Sequence, residues 1–180
     1  MKKISKIILT MLVAFPLLNG CDKIKDAASF DIEPSYTIML DCKVPAILNV
    51  TNTAVYSASA VLEPKSDTKV NVYLNSIQAY EIKSVTATVT SLTFPTINLI
   101  SGDLVLKNFN REIKWSLKNE SMTVGKALTL TNDKDQLTQL SQSLKDGQEI
   151  GVISTGLADR SDIGFTIKLE IKAKASVKLL

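Results

Sequence analysis

Between Phe165 and Ala175 the chain alternates without a fault. Phe165, Ile167, Leu169, Ile171, Ala173 and Ala175 fall on one side, and Thr166, Lys168, Glu170, Lys172 and Lys174 on the other. A helix would scatter these residues around its whole circumference, whereas a strand sends them to opposite faces. The pattern therefore predicts a long antiparallel strand with one dry and one wet face. Its lysines suit a sheet edge, where charge discourages pairing with another chain. An apolar face of that length needs a second layer to cover it, which directs the remaining chain toward a layered β structure.

The preceding residues repeat the period-two theme in shorter pieces. Tyr36 to Leu40 begins the sheet, and Pro45 confines Ala46–Val50 to an edge or a strand start. Val55 to Leu62 is a strand with Tyr56, Ala58, Ala60 and Leu62 on one face, broken by Glu63-Pro64-Lys65. Ser66-Asp67-Thr68 supplies a capping oxygen for a short helix over 68–76, with Val70, Leu74 and Ile77 near helical spacing. Glu81 to Leu92 returns to a β-branched strand with Val85, Ala87 and Val89 inward. After a break at Phe94-Pro95-Thr96, residues 99–106 read as a hairpin turning at Ser101-Gly102-Asp103. Ile113, Trp115 and Leu117 point inward from the next strand, and another contains Leu128 and Leu130. Asn132-Asp133-Lys134-Asp135 caps a second helix carrying Leu137, Leu140 and Leu144, which Gly147 ends. Glu149 to Thr155 is a strand, and Asp159-Arg160-Ser161-Asp162 forms the tip of the connection to the last one. Eight or nine strands with two short crossover helices predict a mainly β, single-domain antiparallel β-sandwich over 32–180, immunoglobulin-like or related. The order strand, capped helix, strand occurs twice, with Leu74 and Leu140 in equivalent places, as an internal duplication would leave it.

The first twenty residues are of another kind. A basic head, Met1 to Lys6, precedes an apolar run from Ile7 to Leu18 that is too short to span a bilayer. Leu18-Asn19-Gly20-Cys21 then resembles the bacterial lipobox. That resemblance implies cleavage between Gly20 and Cys21 and lipidation of the Cys21 thiol. Residues 1–20 would be the lipoprotein signal peptide, and 21–31 the lipidated cysteine and its tether. Several acyl chains give firm anchoring, because each buried methylene contributes about 0.8 kcal/mol. Localisation follows as the bacterial cell envelope, expected at the outer membrane. Asp22 resembles an inner-membrane retention signal of enterobacterial type, and Lys25-Asp26 a fragment of a surface-export signal. Periplasmic face and cell surface both stay open.

Composition removes many chemistries. Lys2, Lys3 and Lys6 leave with the signal, which takes the 21 basic residues to 18 against 18 acidic ones. A balanced chain argues against nucleic acid as a partner, because phosphate binding needs clustered positive charge. The chain contains no histidine, hence no Ser–His or Cys–His nucleophile pair and few routes to a zinc site. The run Gly151 to Gly156 has the wrong spacing for a nucleophile elbow. Asp133 and Asp135 lack the glycine and later ligands of a calcium loop and read as helix-start residues. Trp115 alternates with apolar neighbours and is expected in the core. Cys42, left without an intramolecular partner, reads as a small buried hydrophobe. No catalytic residue, metal site or cofactor is predicted.

Tyr73-Leu74-Asn75, Ile82-Lys83-Ser84-Val85, the Gly102-x-Leu104-x-Leu106 strand, the leucine helix and the long final strand together resemble a group of Bacteroidota-type envelope lipoproteins. The resemblance spans most of the chain after Cys21. It implies a β-rich envelope domain and assigns no catalytic residues. Two function classes follow. One is a non-catalytic interaction module held at the membrane by lipid, with an envelope protein as partner. The other is a binder of a small apolar or carbohydrate ligand. The candidate contact loops are Ser101, Gly102 and Asp103, and Asp159, Arg160 and Asp162. Cys21→Ser is expected to remove an acyl mass from the intact protein and shift its membrane fractionation; identical corrected masses for the two forms, with acyl on neither, would refute the anchor.

Overall fold

The structure is a computed structural model that describes residues 29–46, 54–128, 130 and 132–179. The expected lipobox with Gly20 and Cys21, the expected tether as far as residue 28 and the expected strand beyond Ala46 lie outside the described residues, while 29–31, expected as the end of the tether, belong to a strand. The elements are β1 Ser29–Ile32, β2 Ser35–Val44, β3 Ala54–Leu62, α1 Thr68–Tyr73, β4 Ile77–Leu92, β5 Ile97–Lys107 and β6 Glu112–Met122. They continue with β7 Ala127–Leu128, α2 Gln136–Lys145, β8 Ile150–Ala158 and β9 Ile163–Lys178.

The alternation that dominates the sequence becomes β9, and every inward residue from Phe165 to Ala175 is buried. Its position differs from the expected edge. β2 pairs with it along one side from Ile163 to Lys172, and β4 along the other from Phe165 to Val177. β1 continues the line of β2 beyond Pro34, opposite Ala175 to Lys178. The lysines of β9 therefore guard no edge. They keep one face wet, where Lys174 meets Asp31 at 2.7 Å and Lys168 meets Glu170 at 3.1 Å. Period two tells which face is wet but not which strands stand alongside.

All strand pairs are antiparallel, in the order β6-β5-β8-β3-β2-β9-β4-β7. The path bends between β2 and β3, which share a single register pair, Lys43 with Ser57. The bend leaves two four-stranded layers, β2-β9-β4-β7 and β3-β8-β5-β6, face to face. This is the strand order of a jelly roll, two interlocked Greek keys. The expected antiparallel sandwich holds, and the strand order makes it this kind. Between the layers, the Tyr56 ring of β3 meets the Phe165 ring of β9 edge to face, with centroids 5.0 Å apart and planes at 72°. Ile113, Trp115 and Leu117 are buried as expected.

Both helices lie at one end. Asp67 caps α1, its Oδ1 accepting from the amides of Lys69 (2.9 Å) and Val70 (3.2 Å). Helical structure continues as a 3-10 turn over Leu74–Ser76, so the expected span of 68–76 is met in two pieces. α2 buries Leu140 and Leu144, with Leu137 half-buried. Its cap comes from the expected 132–135 run, from Asn132 rather than Asp135. Asp135 takes a left-handed conformation (φ 55°) and its side chain bonds no helix amide, while Asn132 Oδ1 accepts from Leu137 N at 2.9 Å. Gly147 ends the helix at φ 67°, packed beneath Leu74. α2 bridges the open side of the sandwich: Ser141 Oγ donates to Tyr80 O of β4, and Gln136 Nε2 reaches Lys114 O of β6 at 3.5 Å.

The expected hairpin over 99–106 is not formed. Ser101, Gly102 and Asp103 lie inside β5, which runs unbroken to Lys107. The turn falls later, where Asn108 N donates to Arg111 O and Asn108 Oδ1 accepts from the amides of Asn110 and Arg111. Gly102 is a glycine because of what lies over it. It stands opposite Gly156 of β8, which in turn stands opposite Tyr56. A Cβ on Gly102 would come within 2.4 Å of the Tyr56 hydroxyl, and one on Gly156 within 2.2 Å of Ser101 O. Tyr56 takes the space a side chain on Gly102 would need, while at Gly156 the β5 backbone at Ser101 and Gly102 crowds first and the Tyr56 ring, 2.8 Å away, next. Gly102→Ala and Gly156→Ala are each expected to cost about 1–3 kcal/mol through overpacking. Gly151→Ala, whose Cβ meets only Lys107 O at an ordinary 3.5 Å, should be neutral to stabilising by about 0.4–1 kcal/mol in urea unfolding. Equal effects at all three positions would contradict the packing of Tyr56.

Candidate functional site

Jelly-roll topology sends alternate connections to opposite ends. The end away from the helices gathers the β2–β3 connection, of which Pro45 and Ala46 are described, with 93–96, 123–126 and 159–162. Each described connection is pinned to a neighbour. Thr93 N donates to Gly164 O, and Gly164 N donates to Thr93 Oγ1, both at 3.0 Å. Asp162, at φ 56°, donates its amide to Pro45 O at 3.4 Å. Gly125 N and Lys126 O bond to the two backbone groups of Val89. Lys126 Nζ reaches Glu120 at 2.8 Å and Ser121 O at 2.6 Å.

Asp159 is the organiser of the 159–162 loop. Its carboxylate accepts from Asn98 N at 3.2 Å and Asn98 Nδ2 at 2.8 Å, and its amide donates back to Asn98 O at 2.9 Å. The adjoining Arg160 lies over the Phe94 ring, 5.4 Å from its centroid, with Nε 3.6 Å from Asp159. Phe94 remains 41% exposed. A half-exposed ring under a guanidinium suits recognition, since aromatic and Arg side chains bring large contact area at low entropic cost. Sequence reading identified Arg160 but treated Phe94 only as a chain break. The residues are 66 positions apart, and only the topology joins them.

Of the sequence-predicted loop residues, Asp159, Arg160 and Asp162 stand together at this end. Ser101, Gly102 and Asp103 do not join them. Asp103 lies on the outer face of the β3-β8-β5-β6 layer, bonded by Ser116 Oγ at 2.8 Å and Lys114 Nζ at 2.8 Å. Partial burial pushes its carboxyl up, but those two donors outweigh it and hold the group below its ordinary range. Just below the loops, on the outer face of the other layer, a concavity of about 410 Å³ is lined by Asp41, Lys43, Ser91, Thr93, Gly164 and Thr166. Its floor is a hydrogen-bond relay: Ser91 Oγ donates to Thr166 Oγ1 (2.9 Å), which donates to Asp41 Oδ1 (2.7 Å). A second, polar concavity of about 450 Å³ runs between β6 and the start of α2. Among the described residues no group of three His, Cys, Asp or Glu is placed to hold a metal. None of their helices is long and apolar enough to cross a membrane.

The interior holds its own polar set. Cys42, Tyr56 and Ser154 are essentially inaccessible, and the hydroxyls of Tyr56 and Ser154 make no hydrogen bond of ordinary geometry. Burial pushes the Cys42 thiol from 9.0 up to about 12, and the Tyr56 phenol from 10.0 up to about 12, with Ser154 pulling slightly the other way. Tyr36 and Tyr80 are raised too, again chiefly by burial.

No family model and no curated protein matches the sequence. Among solved structures, the chain is similar to a decameric BFDV capsid protein, at 11% identity and a TM-score of 0.41, covering 82% of this chain and 99% of that one. A structure of Desmodium yellow mottle tymovirus is similar at 15% identity and a TM-score of 0.28, covering 84% of each chain. Similarity at these scores carries no argument, and the jelly-roll assignment rests on the strand order.

The raised thiol and phenols have a pH consequence. The unfolded chain ionises its thiol near 9 and its phenols near 10, while the buried groups hold their protons to higher pH. The stability they contribute is complete below about pH 9 and is lost as pH rises toward 12. The urea midpoint should therefore fall from pH 9 upward, and in Cys42→Ala the fall should begin about one unit later; superimposable profiles for the two proteins would contradict the burial of Cys42.

Proposed function

We propose that the protein is a non-catalytic, lipid-anchored interaction module of the bacterial envelope, presenting the 93–96 and 159–162 loops to a partner protein. One observation carries the reading. β1, into which the tether leads, pairs with the last residues of β9, whereas the 159–162 loop precedes its first. Entry and loops are thus separated by a sixteen-residue strand, roughly 50 Å at about 3.3 Å per residue. A chain anchored through Cys21 would hold its helical end toward the lipid and its loops outward. The Phe94–Arg160 pair then serves as the contact centre, in the loop that Asp162 ties to Pro45. The pinned loops would lose little freedom on binding.

The hydroxyl-lined trough supports a second reading, a small carbohydrate ligand held by Asp41, Ser91, Thr93 and Thr166. Photo-crosslinking from position 94 on intact cells, read by mass spectrometry, tests the first. Reproducible links to one envelope protein that disappear in Arg160→Ala are expected. Links that survive Arg160→Ala, or scatter over many proteins, would count against it. Amide shifts at Ser91, Thr93 and Gly164 on titration with envelope oligosaccharides would favour the second reading.

A further inference from the structure

The helical end carries a feature that folding does not explain. Phe109 is 94% exposed, the most exposed of the large apolar side chains among the described residues. It stands at the apex of the β5–β6 turn, and that turn is tightly built. Asn108, only 7% exposed, closes it with three hydrogen bonds to Asn110 and Arg111. A phenylalanine on a loose loop can fold back onto the surface, but one on a closed turn is held out in solvent. The charges beside it are already engaged: Lys107 with Glu112 at 3.4 Å, and Arg111 with Asp146. The tip therefore presents one apolar ring beside Asn110, with the neighbouring charges paired and locally balanced.

This tip belongs to the same end as the entry of the chain. Arg111 ties the turn to the end of α2, and Gly147, just beyond, packs under Leu74 of the 3-10 turn that follows α1. α1 in turn touches β1, where the Phe30 and Tyr73 rings meet edge to face at 5.0 Å. Val72, 71% exposed, lies on the same helix, and Leu179, 45% exposed, just follows the end of β9. Ser29 is eight residues from Cys21, so the connecting chain can span at most about 28 Å, at 3.3–3.6 Å per residue.

We infer that Phe109 is a membrane-contacting anchor, inserting into the lipid surface on which the tether holds this end of the domain. The inference rests on the lipid-anchor reading. A surface that binds a lipid bilayer only weakly suffices, because a short tether keeps it at an effective concentration in the millimolar range. Neutral surroundings make apolar insertion, rather than attraction to headgroup charge, the source of the contact. Such a contact would set the orientation of the whole jelly roll, with the 93–96 and 159–162 loops turned away from the bilayer.

Tryptophan fluorescence on vesicles tests this. The one native tryptophan, Trp115, is 2% exposed and gives a constant background. Phe109→Trp reports the tip, and Val124→Trp, at the exposed 61% site in the opposite loop end, is the control. The mature chain is placed on vesicles of zwitterionic phosphatidylcholine containing brominated phosphatidylcholine. It is held through its native acyl groups or, if intact mass finds none, through a maleimide lipid coupled to Cys21. Strong quenching and a blue shift for Phe109→Trp, with an unquenched Val124→Trp, are expected, and should persist in high salt. An aqueous spectrum at position 109, or equal quenching at both positions, would overturn the inference. The anchor reading fails separately, by the absence of acyl mass on the native protein.

Discussion

Pairing along both sides of β9 is the constraint on which the rest depends. Its sixteen residues form ladders with β2 and β1 on one side and β4 on the other. The inner face is apolar from Ile163 to Val177. A slip of one residue would carry Lys168, Lys172 and Lys174 into the core and leave Ile167, Ile171 and Ala173 in water, so register is strongly specified. With β9 fixed, the other layer has little freedom. It must cover the apolar inner face of β2, β9, β4 and β7, with side chains that interdigitate across the gap. Tyr56 against Phe165 is that requirement met at one point.

Tyr56 also explains the main misreading of the sequence. Ser-Gly-Asp within an alternating stretch is as good a turn signal as a short sequence gives. Nothing local separates it from a strand in which glycine makes room for something else. The cause lies at residue 56, which reaches Gly102 across β8 where Gly156 carries no side chain. The true turn at Asn108–Arg111 contains no glycine and is closed by a side chain instead. By contrast, the capped helix at Asp67, the leucine face of α2, the stop at Gly147 and the alternation of β9 were legible, because each depends on contacts within a few residues. The central place of β9 was not, since alternation is the same in an inner strand and in an edge strand with one wet face. At the candidate site, Asp159, Arg160 and Asp162 were legible as a loop. Phe94, their neighbour in space, was not.

The two ends of the sandwich are built differently, and the difference traces to β7. Among the described residues only Ala127 and Leu128 pair with β4 there, which leaves much of that side of the sandwich without a described strand. The chain uses α2 in its place, with Leu140 and Leu144 filling the core and Gln136 and Ser141 reaching the backbones of β6 and β4. Helix, 3-10 turn and chain entry consequently crowd together at one end. The other end carries the connections 93–96, 123–126 and 159–162 and the described start of the β2–β3 connection.

That division bears on what each end can do. The described short connections are each tied to a strand outside their own hairpin: Thr93 to Gly164, Asp162 to Pro45, Asp159 to Asn98, Gly125 to Val89. A surface fixed in this way binds without a large ordering cost, and its specificity comes from where its side chains stand rather than from adaptation. At the helical end the bonds tie one element to the next: Ser35 N donates to Asp67, Arg111 pairs with Asp146, and Ser141 Oγ donates to Tyr80 O. Among exposed polar and charged residues such as Lys69, Lys134 and Lys145 it turns outward single apolar side chains, Val72, Phe109 and Leu179. The two ends thus differ in build: turns pinned to neighbouring backbone at one, helices packed against the strand ends at the other.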